Sequence, residues 1–466
     1  MDRATHIQVG ALLEAGRPFA IATVVVVHGS ASAQPGSCAL IDASGTNVFG
    51  WVGGGCAERF VCEQAVEAIL AGRPRTVEVD LDDEIFGVGM PCGGRMEVFI
   101  EPVPLAPALV VVGHDPVAHA IAELAAEVGW RVRAHTPVPD AWGSAAAGVA
   151  GPTRGAGGAG LPGRTGVTVV TAPWEALEVR GGERVVVATR HAGDLPALRA
   201  SLAAQPASIH LVASRSNSAR TRAALLAEGA DPAAVDAIEA PAGLDLGGRT
   251  APEIALAVVA GLEARRHGAS AAPLQAARDA GPLGVLPAGW SPPELVIVGH
   301  SRICEALTAL GVWLGWAVSV DGPPAGAMSR YPGARRVEPS ADFSTLPASP
   351  VTAVVVAAHH KGDHDAIAAA LRRGAPYVGL VASARRSELV RSVIAQMSVP
   401  DADLMRLRAP AGLDLGGRSP TGIALSVLAE ALAVHHGRGG GRLEDAAARA
   451  STGALCGGAG AGPPKP

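Results

Sequence analysis

No apolar run in this 466-residue chain could cross a bilayer: the longest, Phe19–Val27, falls well short of the roughly 20 residues required. The opening residues, Met1, Asp2 and Arg3 with His6 close behind, carry no apolar core of the kind a secretory signal needs. A cytoplasmic protein is expected. There is also no block of five or more basic residues, and the net charge is −5, so nucleic acid and anionic membrane are excluded as expected partners. Proteins and small molecules remain. Cysteine is scarce, with six residues unevenly placed and without secretory context, which argues against a disulfide framework. The thiols are expected to be reduced. At 48% hydrophobic residues the chain has enough apolar material for about three modest domain cores.

The most informative stretch occurs twice. Ala-Pro-Ala-Gly-Leu-Asp-Leu-Gly-Gly-Arg fills 240–249 and again 409–418, and each copy leads into an apolar-periodic run, Ile254 to Val259 and Ile423 to Leu428. Ten identical residues followed by matching periodicity mark a duplicated domain. Physically the decapeptide is a glycine-rich turn delivered onto a helix start. Thr250 with Glu253 has the capping-box spacing, and Ser419 is followed by Pro420 at the first helical position. Helix starts of this kind favour anions. Identity of Asp245 with Asp414 and of Arg249 with Arg418 points to a shared function or a shared buried ion pair.

Residues 1–104 read as a small α+β domain: helix 7–17, strands at 19–28, 39–41 and 49–52, a helix over 57–70, and strands at 76–81 and 96–102. Fully apolar Ala108–Val112 then meets Gly113-His114 and a helix, and the same events recur at Leu295–Val298, Gly299-His300 and a helix. Apolar strands alternating with helices imply parallel sheets covered on both faces. The fold class is therefore α/β, an N-terminal α+β domain followed by two tandem Rossmann-like parallel-sheet domains, at 105–266 and 293–436. A Gly- and Ala-rich insertion is expected at 143–166, a linker at 267–292 and a disordered tail, with an exposed Cys456, at 437–466.

A dinucleotide fold normally carries G-x-G-x-x-G at its first turn. Only the middle glycine survives here, as Gly113 and Gly299. An acidic residue that could hold a ribose follows the second strand of copy two, Asp321, whereas copy one has His135 or Thr136 there. NAD(P) is thus conceivable in copy two and doubtful in copy one. His114, His300, His191, His359 and His360 follow strand ends and should gather at the ligand-binding edge of the sheets; solvated loop positions are the competing reading, above all for His359. Asp194 and Asp363 could serve as helix caps. Cys56 and Cys92 each sit among glycines, Gly53-Gly54-Gly55-Cys56 and Pro91-Cys92-Gly93-Gly94, and Cys56 directly precedes a helix, which suits a nucleophile, a persulfide carrier or a soft metal ligand. Neither belongs to a CxxC pair, so zinc is disfavoured. Cys38, Cys62 and Cys304 are assigned to packing.

The set of motifs resembles the XdhC/CoxI family of accessory proteins for molybdenum hydroxylases. Ala20–Val27, Gly54-Gly55-Cys56 with Glu58, and Pro91-Cys92-Gly93-Gly94 are similar to the family's N-terminal domain. Gly113-His114, Gly299-His300, the Leu-Val-Ala-Ser strands at 211–214 and 380–383, and both Gly-Leu-Asp-Leu-Gly-Gly-Arg turns are similar to its Rossmann-like domain. Members generally have one such domain, so the tandem pair departs from the pattern. The resemblance implies a chaperone for the molybdenum cofactor, as molybdopterin or its cytosine dinucleotide form, that works with a cysteine desulfurase and delivers to an apo molybdenum hydroxylase such as xanthine dehydrogenase or carbon monoxide dehydrogenase. On that basis Cys56 and Cys92 are expected to handle sulfur. Gly54, Gly55, Glu58, Gly93, Gly113, His114, Gly299, His300, Asp321, His360, Asp245, Arg249, Asp414 and Arg418 are the expected cofactor contacts, with no resident metal site. A maturation factor is expected rather than an enzyme, as a homodimer or an internal pseudo-dimer. Two other readings stay open: an NAD(P)-dependent oxidoreductase using copy two, and a scaffold with degenerate nucleotide domains.

Overall fold

The computed structural model describes residues 1–29, 32–80, 94–142, 167–180, 182–190, 193–272, 293–324, 326–338, 352–357, 363–397 and 399–441, apart from the side chains of Cys56 and Thr352. The predicted insertion at 143–166 lies outside them, as does the tail beyond Gly441. The chain divides into two units, Met1–Pro107 and Ala108–Pro466.

The first unit is a five-stranded antiparallel sheet in the order β3-β2-β1-β5-β4, built from β1 (Phe19–Gly29), β2 (Cys38–Asp42), β3 (Asn47–Gly50), β4 (Arg75–Asp80) and β5 (Gly94–Val103). Helix α1 (Arg3–Glu14) begins four residues earlier than its periodicity predicts, because Asp2 caps it by accepting from the Thr5 amide. Helix α2 (Gly55–Ala71) lays Ala57, Val61, Cys62, Ala65 and Ala68 onto one face of the sheet. It too starts early, with Gly54 as N-cap, so Cys56 lies inside its first turn rather than ahead of it.

The second unit contains both Rossmann copies. In the first, β6 (Ala108–Val112), β7 (Arg131–Thr136), β8 (Val167–Thr171), β9 (Arg184–Val187) and β10 (Ser208–Leu211) form a parallel sheet ordered β8-β7-β6-β9-β10. The second repeats this order with β11 (Glu294–Val298), β12 (Ala317–Asp321), β13 (Arg336–Glu338), β14 (Thr352–Val356) and β15 (Tyr377–Leu380), and adds β16 (Leu407–Arg408) at the far edge. Numbered within each copy the order is 3-2-1-4-5, the doubly wound arrangement whose strand order reverses beside the first strand.

Alternate strand residues separate the two faces. Leu109 and Val111, like Leu295 and Ile297, join one continuous core, while Val110 and Val112 enter a second cluster and Val296 and Val298 a third. The continuous core belongs to both copies at once. It is filled by α3 (Pro116–Glu127) and α7 (Ala251–His267) of copy one and by α8 (Arg302–Trp313) and α12 (Pro420–His435) of copy two. The outer faces are covered by α4 (Asp194–Ala204), α5 (Arg215–Ala227) and α6 (Pro232–Asp236), and by α9 (Asp363–Arg372), α10 (Ala384–Ala395) and α11 (Asp401–Leu404). Helices α7 and α12 are apolar almost all round, as expected of helices buried between two sheets. Across this interior Trp313 of copy two donates its indole N–H to Glu123 of copy one at 3.1 Å.

The duplicated turns explain why the copies stay together. After α7 the chain runs over the copy-two decapeptide: Ser270 donates its amide and hydroxyl to Asp414, at 3.1 and 2.9 Å, and the Asp414 amide donates to Ala272. After α12 the chain does the same to copy one, where the Asp245 amide donates to Gly441 and Arg438 lies 3.8 Å from the Asp245 carboxylate. Residues 268–272 and 437–441, expected to open a linker and a tail, are therefore clasps. The aspartate–arginine pairing expected within each decapeptide is not formed, because each aspartate is met by the opposite copy while Arg249 and Arg418 are exposed.

Two glycines make room for these crossings. A Cβ on Gly247 would fall 2.6 Å from the His436 Cβ, and one on Gly416 would fall 2.3 Å from the His267 Cβ; both glycines have positive φ, +74° and +75°. Thr250 and Glu253 form the predicted capping box, and Pro420 opens α12 as expected. Burial of Glu253 pushes its carboxyl upward, but the His436 imidazole 3.5 Å away and hydrogen bonds from the Arg249 and Thr250 amides outweigh this and hold it at about 2. Gly416→Ala is expected to lower the unfolding midpoint, costing about 1–3 kcal/mol from the strained backbone alone. Gly10→Ala in α1, where an added Cβ meets nothing within 4 Å, should leave the midpoint unchanged or raise it slightly; denaturant titrations of the two variants measure the difference.

Candidate functional site

In a doubly wound sheet the ligand crevice opens at the carboxyl ends of the central strands, where the order reverses. In copy one that point is Gly113, with φ +146°, whose added Cβ would lie 2.0 Å from the Ala188 carbonyl oxygen. This glycine is demanded by the close passage of the chain leaving β9, whatever else it does. His114 is exposed and its Nδ1 lies 3.2 Å from the Thr136 hydroxyl. Asp115 caps α3, accepting from the Ala118 amide at 2.7 Å, and pairs with Arg190 at 3.0 Å. Trp142 donates its indole N–H to the Gly113 carbonyl and stacks on His119 with ring centroids 4.0 Å apart. The β6–α3 turn is thus roofed by an aromatic side chain.

The register settles which residue faces the ribose position. Val112 pairs with His135, and Val298 pairs with Asp321. His135 is therefore the copy-one counterpart. It is fully buried, its Nε2 lies 3.0 Å from the Pro173 carbonyl, and burial pulls its pKa down. A neutral, enclosed imidazole offers nothing like a carboxylate to a diol.

Copy two is different. Asp321 is 1% exposed, its Oδ1 lies 3.3 Å from the Arg336 guanidinium, and its Oδ2 has no hydrogen-bond partner among the described residues. Burial raises its pKa, with Arg336 opposing the rise. Nearby, His300 is held at both ring nitrogens: Arg330 donates to Nε2 at 2.9 Å, which leaves the ring proton on Nδ1 for the Tyr331 hydroxyl oxygen at 2.7 Å. Arg330 also pairs with Glu305, and burial of Tyr331 pushes its phenol up to about 12. Ser301 caps α8 by accepting from the Cys304 amide. This crevice carries a carboxylate with a free acceptor, a guanidinium and a fixed imidazole.

The remaining expected residues scatter. Glu58 is tied to the neighbouring hairpin by the Asn47 amide at 2.5 Å. Gly54 is the N-cap of α2, whereas Cys92, Gly93, His191, His359, His360 and the Cys56 side chain lie outside what the structure describes. Asp194 is not a cap: it is the first residue of α4, accepting from Thr189 at 2.5 Å and Asn217 at 2.9 Å. Its counterpart Asp363 pairs with Arg386. Cys62 and Cys304 are buried, and burial raises both thiols, as expected of packing cysteines. Among the described residues no cluster of three or more His, Cys, Asp or Glu is placed to hold a metal ion, and no helix is long and apolar enough to cross a membrane.

Sequence reasoning missed one grouping. Arg215, Arg249 and Arg438 line a cavity of about 420 Å³ beside the copy-one decapeptide. Arg438 falls in the stretch expected to be a tail, and its approach depends on the clasp.

A family model described as the XdhC Rossmann domain matches residues 109–262 and again 295–431, and one described as the XdhC and CoxI family matches 12–80. An uncharacterised Escherichia coli protein, YqeB, is 30% identical over 252 residues, covering 53% of this chain; the chain spans less than half, 44%, of that relative's length. Among solved structures, one titled a xanthine dehydrogenase from Bacillus halodurans is 19% identical, covering 54% of this chain and 94% of its own, at a TM-score of 0.28. A dipicolinate synthase polypeptide from the same organism is 11% identical, covering 70% and 98%, at a TM-score of 0.21.

The Asp321–Arg336 pair gives a pH-dependent expectation. A carboxyl whose folded pKa is raised costs stability as pH climbs above its unfolded value, and the cost grows when the compensating cation is removed. Arg336→Met should therefore lower the thermal midpoint more at pH 8 than at pH 5, and Asp321→Asn in the same background should abolish that pH dependence.

Proposed function

Because the chain belongs to the XdhC and CoxI family, we propose that it is a maturation factor for a molybdenum hydroxylase of the xanthine dehydrogenase or carbon monoxide dehydrogenase type, with the molybdenum cofactor as its cargo. The observation that carries the reading is the extent of the family match, which takes in the N-terminal unit and both Rossmann copies.

The residues of copy two suit a ribose- and phosphate-bearing form of that cargo. Asp321 has a carboxylate oxygen left to accept from a ribose hydroxyl, and Arg336 is the adjacent group that would meet a phosphate. Copy one lacks the carboxylate, having the buried His135, and its turn is covered by Trp142. Copy two is thus the nucleotide-facing half and copy one its structural partner within an internal pseudo-dimer. Cys56, in the first turn of α2 and flanked by the glycines that resemble the family's pattern, is the residue assigned to sulfur handling with a cysteine desulfurase before delivery to the apo-hydroxylase.

A second reading rests on the same carboxylate: an oxidoreductase that binds NAD(P) at Asp321. The two are separated by what the purified full chain retains and does. As a maturation factor it should carry a pterin that yields a fluorescent product on oxidation, and it should activate apo-hydroxylase. Asp321→Asn is expected to weaken the cytosine dinucleotide form about tenfold, in line with roughly 1.5 kcal/mol for a hydrogen bond to a charged group, while sparing molybdopterin itself. Saturable NAD(P)H binding with hydride transfer and no pterin would overturn the proposal in favour of the oxidoreductase.

A further inference from the structure

The cavity beside the copy-one decapeptide has no place in the reading above and does not depend on it. It is lined by Arg215, Asp245, Gly247, Gly248, Arg249 and Arg438, among others, with a volume of about 420 Å³. The three guanidiniums come from three elements: Arg215 opens α5, Arg249 ends the decapeptide ahead of α7, and Arg438 arrives from the far end of copy two. Against them stands a single lining carboxylate, Asp245, 3.8 Å from Arg438. The loop supplies donors as well. The Arg249 and Thr250 amides are spent on Glu253, but the amides of Gly247 and Gly248 have no acceptor among the described residues. Both α5 and α7 direct their N-terminal ends to this region, Ser214 and Thr250 being their caps. Excess positive charge, two free backbone donors and planar guanidinium forks are the means by which proteins hold phosphate.

The other copy is an internal control. Its decapeptide is identical, yet the structural counterpart of Arg215 is Ala384, next to the cap Ser383, and the counterpart of Arg438, two residues after the histidine that crosses the glycine, is Ala269. Only Arg418 remains of the three. The repeated turn is thus the common clasp, and Arg215 and Arg438 are additions to one copy of it.

We infer that this cavity is a binding site for a phosphate-bearing anion, formed jointly by the two copies and confined to the copy-one turn. A free nucleotide and a phosphorylated pterin share that chemistry. Calorimetric titration of the full chain with inorganic pyrophosphate tests the site itself; titrations with adenosine diphosphate and with molybdopterin then distinguish the sources. Arg215→Ala with Arg438→Ala is expected to weaken pyrophosphate binding at least tenfold, and Arg418→Ala to leave it within twofold. Since Arg215 and Arg418 are exposed and Arg438 half-exposed, unaltered unfolding midpoints should accompany both variants. Absence of saturable binding by the unmodified chain at millimolar pyrophosphate, or an equal loss in Arg418→Ala, would overturn the inference. The Asp321→Asn variant keeps the two proposals separable, because it should not change pyrophosphate affinity here.

Discussion

The burial of α3 and α7 against α8 and α12 is the constraint on which the second unit depends. A parallel sheet needs cover on both faces, and in each copy one face is covered by helices that are themselves apolar on the side away from the sheet. Separated, the copies would expose to water part of the one apolar core that α7 and α12 now share. The crossing segments after α7 and α12 fix the register of this contact, since each passes over a glycine where no side chain could fit. Duplication has supplied a chain with the partner that a single copy would have to find in another molecule.

Much of the fold was legible in the sequence, and the reasons are local. Continuous apolar strands followed by glycine and a helix announce parallel sheet, and the matching runs after each decapeptide announce duplication. The helix starts were less legible. Asp2 and Gly54 cap α1 and α2 ahead of the apolar periodicity, so pattern alone places both starts late. The clasps could not be read at all. Ala269–Ala272 and Arg438–Gly441 have the composition of a linker and a tail, and what orders them is backbone pairing with residues more than a hundred positions away.

The site shows the same division. Asp321 was visible because its place after the second strand has a chemical meaning in any nucleotide fold, and register then identified His135 as its opposite number. The decapeptide residues were visible as identities but not as roles. Asp245 and Asp414 are engaged by the opposite copy, and Arg249 and Arg418, alike in sequence, differ in company: Arg249 lines a cavity with Arg215 and Arg438, whose counterparts in the other copy are Ala384 and Ala269. Identity between repeats reported what the pair requires to assemble, whereas the differences beside it report where the copies diverged in use.

The turn glycines hold one more consequence. The Gly243 amide donates to Glu239, which Arg265 of α7 neutralises, while the Gly412 amide donates to Glu430 on α12, a carboxyl that burial holds up at about 7 against the hydrogen bonds from Gly412 and Tyr377 and the weaker pull of Arg408. Glu239 and Arg408 occupy the same place in their repeats, immediately before the shared Ala-Pro-Ala, and the last-helix position that holds Glu430 in copy two holds Gly261 in copy one. The same glycine amide thus draws its carboxylate from the strand end in one half and from the last helix in the other, and a copy-two helix with glycine at 430, as copy one has at 261, would leave that amide without its acceptor.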